Sequence, residues 1–206
     1  MEIIRLENIV KKYNGKYVLN HISRSFEQGK SAAFTGHNGC GKSTLLKCMA
    51  GLLAPDEGSV RHTGSLLFHY IPEKFPPTAL TAGEYLLRMG QISGIGTKEG
   101  KRVIEELAHD FFMEELLDMP MKVLSKGTLQ KTGVIQALLK KPDVLLLDEP
   151  LSGQDEASQK VFVEKICGLR SEGVTIFMVC HEKNLVEAIA DEIYEMREGN
   201  IYEGKL

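Results

Sequence analysis

The stretch Gly36-His37-Asn38-Gly39-Cys40-Gly41-Lys42-Ser43-Thr44 limits what this chain can fold into more than any other part of it. It fits the phosphate-loop pattern G-x-x-x-x-G-K-[ST], with Gly36, Gly41, Lys42 and Ser43 at the fixed positions. A polyphosphate needs several backbone N–H groups turned inward, and glycines permit a curvature that a Cβ would obstruct. A helix starting near Gly41 adds its positive end to the same anion site. Lys42 supplies a mobile charge for the β- and γ-phosphates, and the Ser43 hydroxyl suits Mg²⁺. Such a loop requires a strand before it and a helix after it. Ser31–Thr35 reads as a short buried strand and Lys42–Met49 as a helix, so the setting is present.

At 206 residues the chain can bury one sizeable core, as a single large domain or a domain carrying an inserted lobe. Hydrophobic residues make up 43% and charged residues 26%, the balance of a soluble globular protein. A net charge of −3 and a pI near 6.1 give no overall electrostatic case for nucleic acid, and none is expected as a partner. Cys40, Cys48, Cys167 and Cys180 lie far apart with no C-x-x-C pair, which argues for a reducing intracellular compartment over disulfides or a metal. No apolar run approaches the roughly 18–20 residues needed to span a bilayer. Met1-Glu2-Ile3-Ile4-Arg5 is unlike a secretion signal. Any membrane role is therefore expected to be borrowed from another polypeptide.

Along the chain, residues 3–10 and 18–26 alternate like strands around a turn at Asn14-Gly15. Tyr13, just before that turn, is either an edge-strand aromatic covering the core or a flat platform for a purine base. Residues 51–58 form a loop, and short strands are expected at Val60 and 66–71, joined by a turn near Gly64. From 74 to 124 the chain turns mainly helical, with expected helices at 81–91, 98–109 and 111–119, and reads as an inserted lobe. Glu114-Glu115 there is a solvated face. Residues 125–140 form a helix with Ser125 as N-cap and Leu129, Gly133, Val134, Ala137 and Leu138 along one side. Residues 144–147 are a continuously apolar strand of the kind buried on both faces of a parallel sheet. A helix at 154–170, a strand at 174–180, a helix at 184–190 and a hairpin around Gly199-Asn200 complete an alternation that means a parallel α/β sheet.

Two acids, Asp148 and Glu149, directly follow the apolar strand, where burial is costly unless something cationic waits. In a phosphate-loop protein that is a Mg²⁺–nucleotide complex at the carboxyl ends of the strands. Asp148 then holds the metal, and Glu149 acts as general base or orienter of an attacking water. His181 ends another strand and can donate to the γ-phosphate, though a lone strand-end histidine is more often structural.

With these residues in hand, the chain resembles the nucleotide-binding subunits of ABC transporters over nearly its whole length. Residues 36–44 look like the family's Walker A, and 144–149 like Walker B with its catalytic Glu149. Leu124-Ser125-Lys126-Gly127-Thr128 corresponds to the signature LSGGQ, and Ser152-Gly153-Gln154-Asp155 to the D-loop. His181 corresponds to the switch histidine and Tyr13 to the adenine-stacking aromatic. The resemblance implies one ABC ATPase domain over 1–206: a phosphate-loop NTPase α/β fold with a mainly parallel sheet and an N-terminal antiparallel β subdomain. Its core is 1–73 and 125–206, with 74–124 as the inserted helical lobe. It implies ATP bound by Tyr13, Gly36, Asn38, Gly39, Cys40, Gly41, Lys42, Ser43 and Thr44, with Mg²⁺ on Ser43, Asp148 and Glu73. Glu149, His181 and Lys42 carry catalysis. A second ATP-binding subunit contributes Ser125 and Gly127 to each nucleotide, and a separate permease sits in the membrane, with this subunit on its cytoplasmic face.

Three positions depart from the family pattern. Lys126 and Thr128 replace the usual Gly and Gln of the signature, and the Q-loop glutamine is Glu73, in Tyr70-Ile71-Pro72-Glu73. A carboxylate there can bind Mg²⁺ but repels the γ-phosphate when the metal is missing, so a stronger Mg²⁺ dependence is expected. Cys40 is either a small filler or a thiolate activated by the loop's field. Phe75, Pro76 and Pro77 are candidates for the permease contact, unless Phe75 caps the lobe's own core. His21, His62, His69 and His109 show no ligand spacing. A soluble ABC ATPase acting on a cytosolic assembly is the alternative, and a small-molecule kinase a third. Transport direction stays open, although the short early hairpin and compact lobe resemble exporter-type subunits.

Overall fold

The computed structural model describes residues 1–75 and 78–204. The chain divides into two compact units, one of Met1–Tyr70, Pro142–Asp148 and Cys167–Leu206, the other of Ile71–Lys141 and Glu149–Ile166.

The first unit holds two sheets. Strands β1 (Glu2–Tyr13), β2 (Lys16–Glu27) and β4 (Glu57–His62) form an antiparallel sheet in the order β2-β1-β4. The β1–β2 turn is Asn14-Gly15, both at positive φ (51° and 76°), the type I′ geometry that matches strand twist. These strands are longer than their apolar alternation suggests. The pattern is broken by bulges at Asn8 and His21, both near φ 55°, whose side chains bond to each other at 2.8 Å. The early hairpin is thus 12 residues a side, not short.

The second sheet has the order β5-β6-β7-β3-β8-β9, built from β3 (Ser31–Thr35), β5 (Phe68–Ile71), β6 (Val144–Asp148), β7 (Thr175–Val179), β8 (Glu192–Arg197) and β9 (Asn200–Glu203). Strands β6, β7, β3 and β8 run parallel, and β9 returns antiparallel through Glu198-Gly199, one residue before the expected turn centre. Every residue of β6 and β7 is buried, which explains their unbroken apolar runs. The strands at β4 and β5, expected as neighbours across Gly64, belong to different sheets.

One core joins both sheets and helix α1 (Lys42–Met49). Its centre is Phe26 of β2, edge-on to Phe177 at 5.0 Å, Tyr194 at 5.8 Å and Phe34 at 6.1 Å, each from a different strand of the large sheet. Such pairs add about 0.5–1.5 kcal/mol each beyond the area they bury.

The second unit contains α2 (Ala82–Ile92), α3 (Thr97–Asp110), α4 (Lys126–Leu138) and the start of α5 (Glu156–Ser171). It therefore takes in α4 and part of α5 besides the 74–124 segment. The reason is local: Lys131 of α4 donates to the Phe111 carbonyl and Tyr85 of α2 donates to Gln136. A capping box, Thr81 with Glu84, starts α2. The helix expected at 111–119 does not form. Phe112 at φ 57° ends α3 in a Schellman motif, with Met113 N–H bonding Ala108 O and Phe112 N–H bonding His109 O, and only a 3₁₀ turn, Glu114–Leu116, follows. Helices α1, α2 and α5 end the same way at Gly51, Gly94 and Gly173. A phenylalanine in the glycine position hides the stop from sequence reasoning. Helix α6 (Lys183–Ile189) completes the first unit.

Candidate functional site

In the first unit the phosphate loop leaves β3 and enters α1 with Gly36, Gly39 and Gly41 at φ 136°, 82° and 110°. A Cβ at Gly36 would stand 2.5 Å from the Met196 carbonyl oxygen, and one at Gly41 2.5 Å from that of Val18, so space as well as φ demands glycine. Gly41 caps α1 without a side-chain bond and no acid occupies the first turn, which leaves the helix's amides and positive end for an anion. Lys42 is 6% exposed and its Nζ donates to Gly36 O at 2.8 Å and His37 O at 3.1 Å, bracing the loop on itself. Asn38 and Gly39 form the exposed tip, and Thr44 is half-buried. Cys40 is 5% exposed, its N–H bonded to His37 O, its Sγ against Gly36. That packing fits the filler reading of this cysteine.

Parallel registry brings the other parts to the same edge. Val179 at the end of β7 pairs with Phe34 of β3 on one side and Asp148 of β6 on the other. Asp148 is 2% exposed, and its two oxygens are separately held: Ser43 Oγ donates to Oδ1 at 2.8 Å and Tyr70 OH to Oδ2 at 2.9 Å. A buried carboxylate needs such donors or a cation. Sequence reasoning gives Tyr70 no role, because nothing near it says that β5 lies beside β6. The Ser43 hydroxyl and Asp148 carboxylate are hard oxygen donors of the kind that Mg²⁺ accepts. Among the described residues there is no group of three or more His, Cys, Asp or Glu that could hold a metal.

His181 lies two residues beyond β7, exposed, on a cavity of about 410 Å³ also lined by Thr35, Lys183 and Glu187. Tyr13 ends β1 and is 49% exposed, so it covers no core. The contact of Val18 with Gly41 anchors its hairpin beside the phosphate loop. Two of the remaining histidines make structural bonds: His62 bonds the Met49 carbonyl at 2.8 Å and His109 pairs with Glu114 at 2.6 Å.

The second unit carries the other group of residues. Glu149 has φ 51°, a sparsely populated conformation for a residue with a Cβ, and the chain turns from it through Gly153 into α5. Ser125 caps α4, its Oγ accepting from Thr128 N–H at 3.1 Å and lying 2.8 Å from Thr128 Oγ1. Ser125 is exposed, whereas Gly127 is buried under the D-loop: a Cβ on it would fall 1.9 Å from Gly153 O. Lys131, one turn further, is almost fully buried and reaches Asp155 Oδ2 at 2.8 Å and Phe111 O at 3.2 Å. That ammonium, with the Ser158 amide, holds the Asp155 carboxyl well below the usual carboxylate range. Glu73 has its carbonyl on Gln130 Nε2 at 2.6 Å and its carboxylate 3.5 Å from Lys126 Nζ. The Phe75 ring packs on Gly133, where a Cβ would stand 2.1 Å from Cζ, so the aromatic is engaged by α4, a helix outside the 74–124 segment whose core it was expected either to cap or to leave for a docking contact. Pro76 and Pro77 lie outside the described residues.

Residues 19–152 match the ABC transporter family profile. The chain is 34% identical over 194 residues to the zinc import ATP-binding protein ZnuC of Pseudomonas fluorescens, covering 93% of this chain and 72% of that one. It is 35% identical over 196 residues to ZnuC of Photorhabdus laumondii, covering 93% and 73%. Among solved structures, the ATP-binding subunit of an ABC transporter superposes with a TM-score of 0.88 at 26% identity, covering 99% of this chain and 90% of that one. The chain belongs to the ABC transporter family, as an ATP-binding, ATP-hydrolysing subunit that drives transport through a separate membrane permease.

Proposed function

We propose that this subunit works as one of a pair on the cytoplasmic face of its permease and energises uptake of a divalent metal ion of the zinc class. The observation that carries the chemistry is Asp148, buried at the end of β6 with one oxygen on Ser43 of the phosphate loop. Kinship with zinc import subunits of Pseudomonas and Photorhabdus supports uptake and the cargo. The 12-residue strands of the early hairpin remove one argument for an exporter. Among the described residues no helix is long and apolar enough to cross a membrane.

In this reading Tyr13 stacks on the adenine, and the open first-turn amides of α1 receive the phosphates. Lys42 leaves the Gly36 and His37 carbonyls for the β- and γ-phosphate oxygens. Ser43 and Asp148 would hold Mg²⁺, Glu73 is assigned to it as a further ligand, and the ion would supply neutralisation of charge on the transferring group. Glu149 takes a proton from the water that attacks the γ-phosphorus, the bond to the bridging oxygen breaks towards ADP, and His181 donates to a γ-phosphate oxygen. Ser125 and Gly127 complete the site of the partner copy.

Replacing Glu149 by Gln should trap the ATP-bound pair on its permease. Gentle solubilisation and pull-down in the presence of ATP should recover a polytopic membrane protein, and cells relying on that permease should lose zinc accumulation with the E149Q subunit. Recovery of soluble partners alone, or zinc accumulation unchanged, overturns the proposal.

A further inference from the structure

Two of the three departures from the family pattern touch each other. Glu73 stands where a neutral glutamine is usual and Lys126 where a glycine is usual, and their side chains meet at 3.5 Å. The contact is part of a stripe along α4. Lys126, Gln130 and Gly133 are spaced four and three residues apart, so they share one face of the helix. All three meet the same short segment: Lys126 the Glu73 carboxylate, Gln130 the carbonyls of Pro72 (3.0 Å) and Glu73 (2.6 Å), and Gly133 the Phe75 ring. Gln130 is 1% exposed, and the Phe75 ring lies so close to Gly133 that a Cβ there would stand 2.1 Å from Cζ, so these two links are packed. The ion pair is about half exposed at both ends, which makes it the one link of the three that can open without unpacking anything.

We propose that Lys126 is a positioning residue for Glu73: their ion pair holds the carboxylate on the signature helix and sets how readily it is released to a metal. The inference rests on the reading of Glu73 as a Mg²⁺ ligand for its second half only. A carboxylate shared with an ammonium is a poorer ligand than a free one, so Lys126 competes with the cation for the same oxygens. A glycine at position 126 offers no such competition, and a glutamine at position 73 offers no charge to compete for.

The test is a double-mutant cycle on the full chain with Lys126→Gln and Glu73→Gln, read in two ways. Without nucleotide, hydrogen exchange of the amides at 73–75 should speed up about two- to fivefold in either single variant, the range set by a half-exposed pair, and no further in the double. With a fluorescent non-hydrolysable ATP analogue, Lys126→Gln should lower the Mg²⁺ concentration at half-maximal binding by about the same factor, and should change nothing in the Glu73→Gln background. The charge swap, Glu73→Lys with Lys126→Glu, should restore slow exchange. Additive exchange effects, or a Lys126→Gln effect that persists without Glu73, overturn the pair. Coupled exchange with an unmoved Mg²⁺ midpoint overturns its role towards the metal. If the analogue does not bind at all, the nucleotide reading fails and the exchange data alone decide the pair.

Discussion

Replacing Gly127 by Ala should separate ATP binding from ATP turnover. The built Cβ falls 1.9 Å from the Gly153 carbonyl oxygen and 2.7 Å from its carbon, both backbone atoms that no side-chain rotation can move away. Ordinary contact begins at 3.4 Å, so the start of α4 and the D-loop must part by about 1.5 Å. Overpacking of this kind costs about 1–3 kcal/mol, and a 1 Å misplacement at reacting groups costs about 100-fold in rate. Tyr13, the phosphate loop and Asp148 belong to the other unit and keep their geometry. Nucleotide affinity, measured by titration with a fluorescent ATP analogue, should therefore stay within about twofold, while steady-state phosphate release falls by about two orders of magnitude. A Gly127→Ala subunit that hydrolyses ATP within threefold of the wild type would refute the claim that this glycine sets the spacing of signature and D-loop. Loss of ATP binding in parallel with turnover would refute the claim that the phosphate loop keeps its geometry when this contact is overpacked.

Three further outcomes follow from the same geometry. Tyr70→Phe removes a donor to buried Asp148 and should cost about 1–3 kcal/mol in denaturant unfolding without nucleotide, less with Mg-ATP, since a cation at the carboxylate would replace the donor; equal losses in both conditions would count against metal at Asp148. Phe112→Gly should raise stability by about 0.5–1 kcal/mol, because φ 57° strains a residue with a Cβ and the ring is 59% exposed; a lower urea midpoint would show that the ring packs in solution. The Asp155 carboxyl is held low by Lys131, so its contribution is complete above the ordinary carboxylate value of about 4 and is lost as pH falls below it. Because this carboxylate is more than half exposed, the effect should stay under about 1 kcal/mol, seen as a gap between wild type and Lys131→Met that narrows from pH 5 to pH 2; a gap independent of pH would assign the cost to the Phe111 carbonyl instead.

What the sequence discloses about this subunit divides by the range of the interactions involved. The boundaries of β3 and α1 fall where the amino acids place them, at Ser31–Thr35 and Lys42–Met49, because glycines, an apolar run and a helical period sit next to one another in the chain. The same holds for Ser125, whose hydroxyl caps α4 through a bond to a residue three positions on. Local signals fail where one residue type stands in for another, as Phe112 does for glycine at the end of α3. They fail altogether for contacts made across the fold. Tyr70 reaches Asp148 over 78 residues, Gln130 reaches Glu73 over 57, and Lys126 reaches the same glutamate over 53. None of these partners leaves a mark beside the other, so a linear reading can register Glu73 and Lys126 only as two separate deviations from a pattern. In three dimensions their side chains meet, a carboxylate and an ammonium 3.5 Å apart. A departure from a family motif is therefore best weighed after asking what its side chain touches, because a compensated change can preserve a site that the same substitution, uncompensated, would impair.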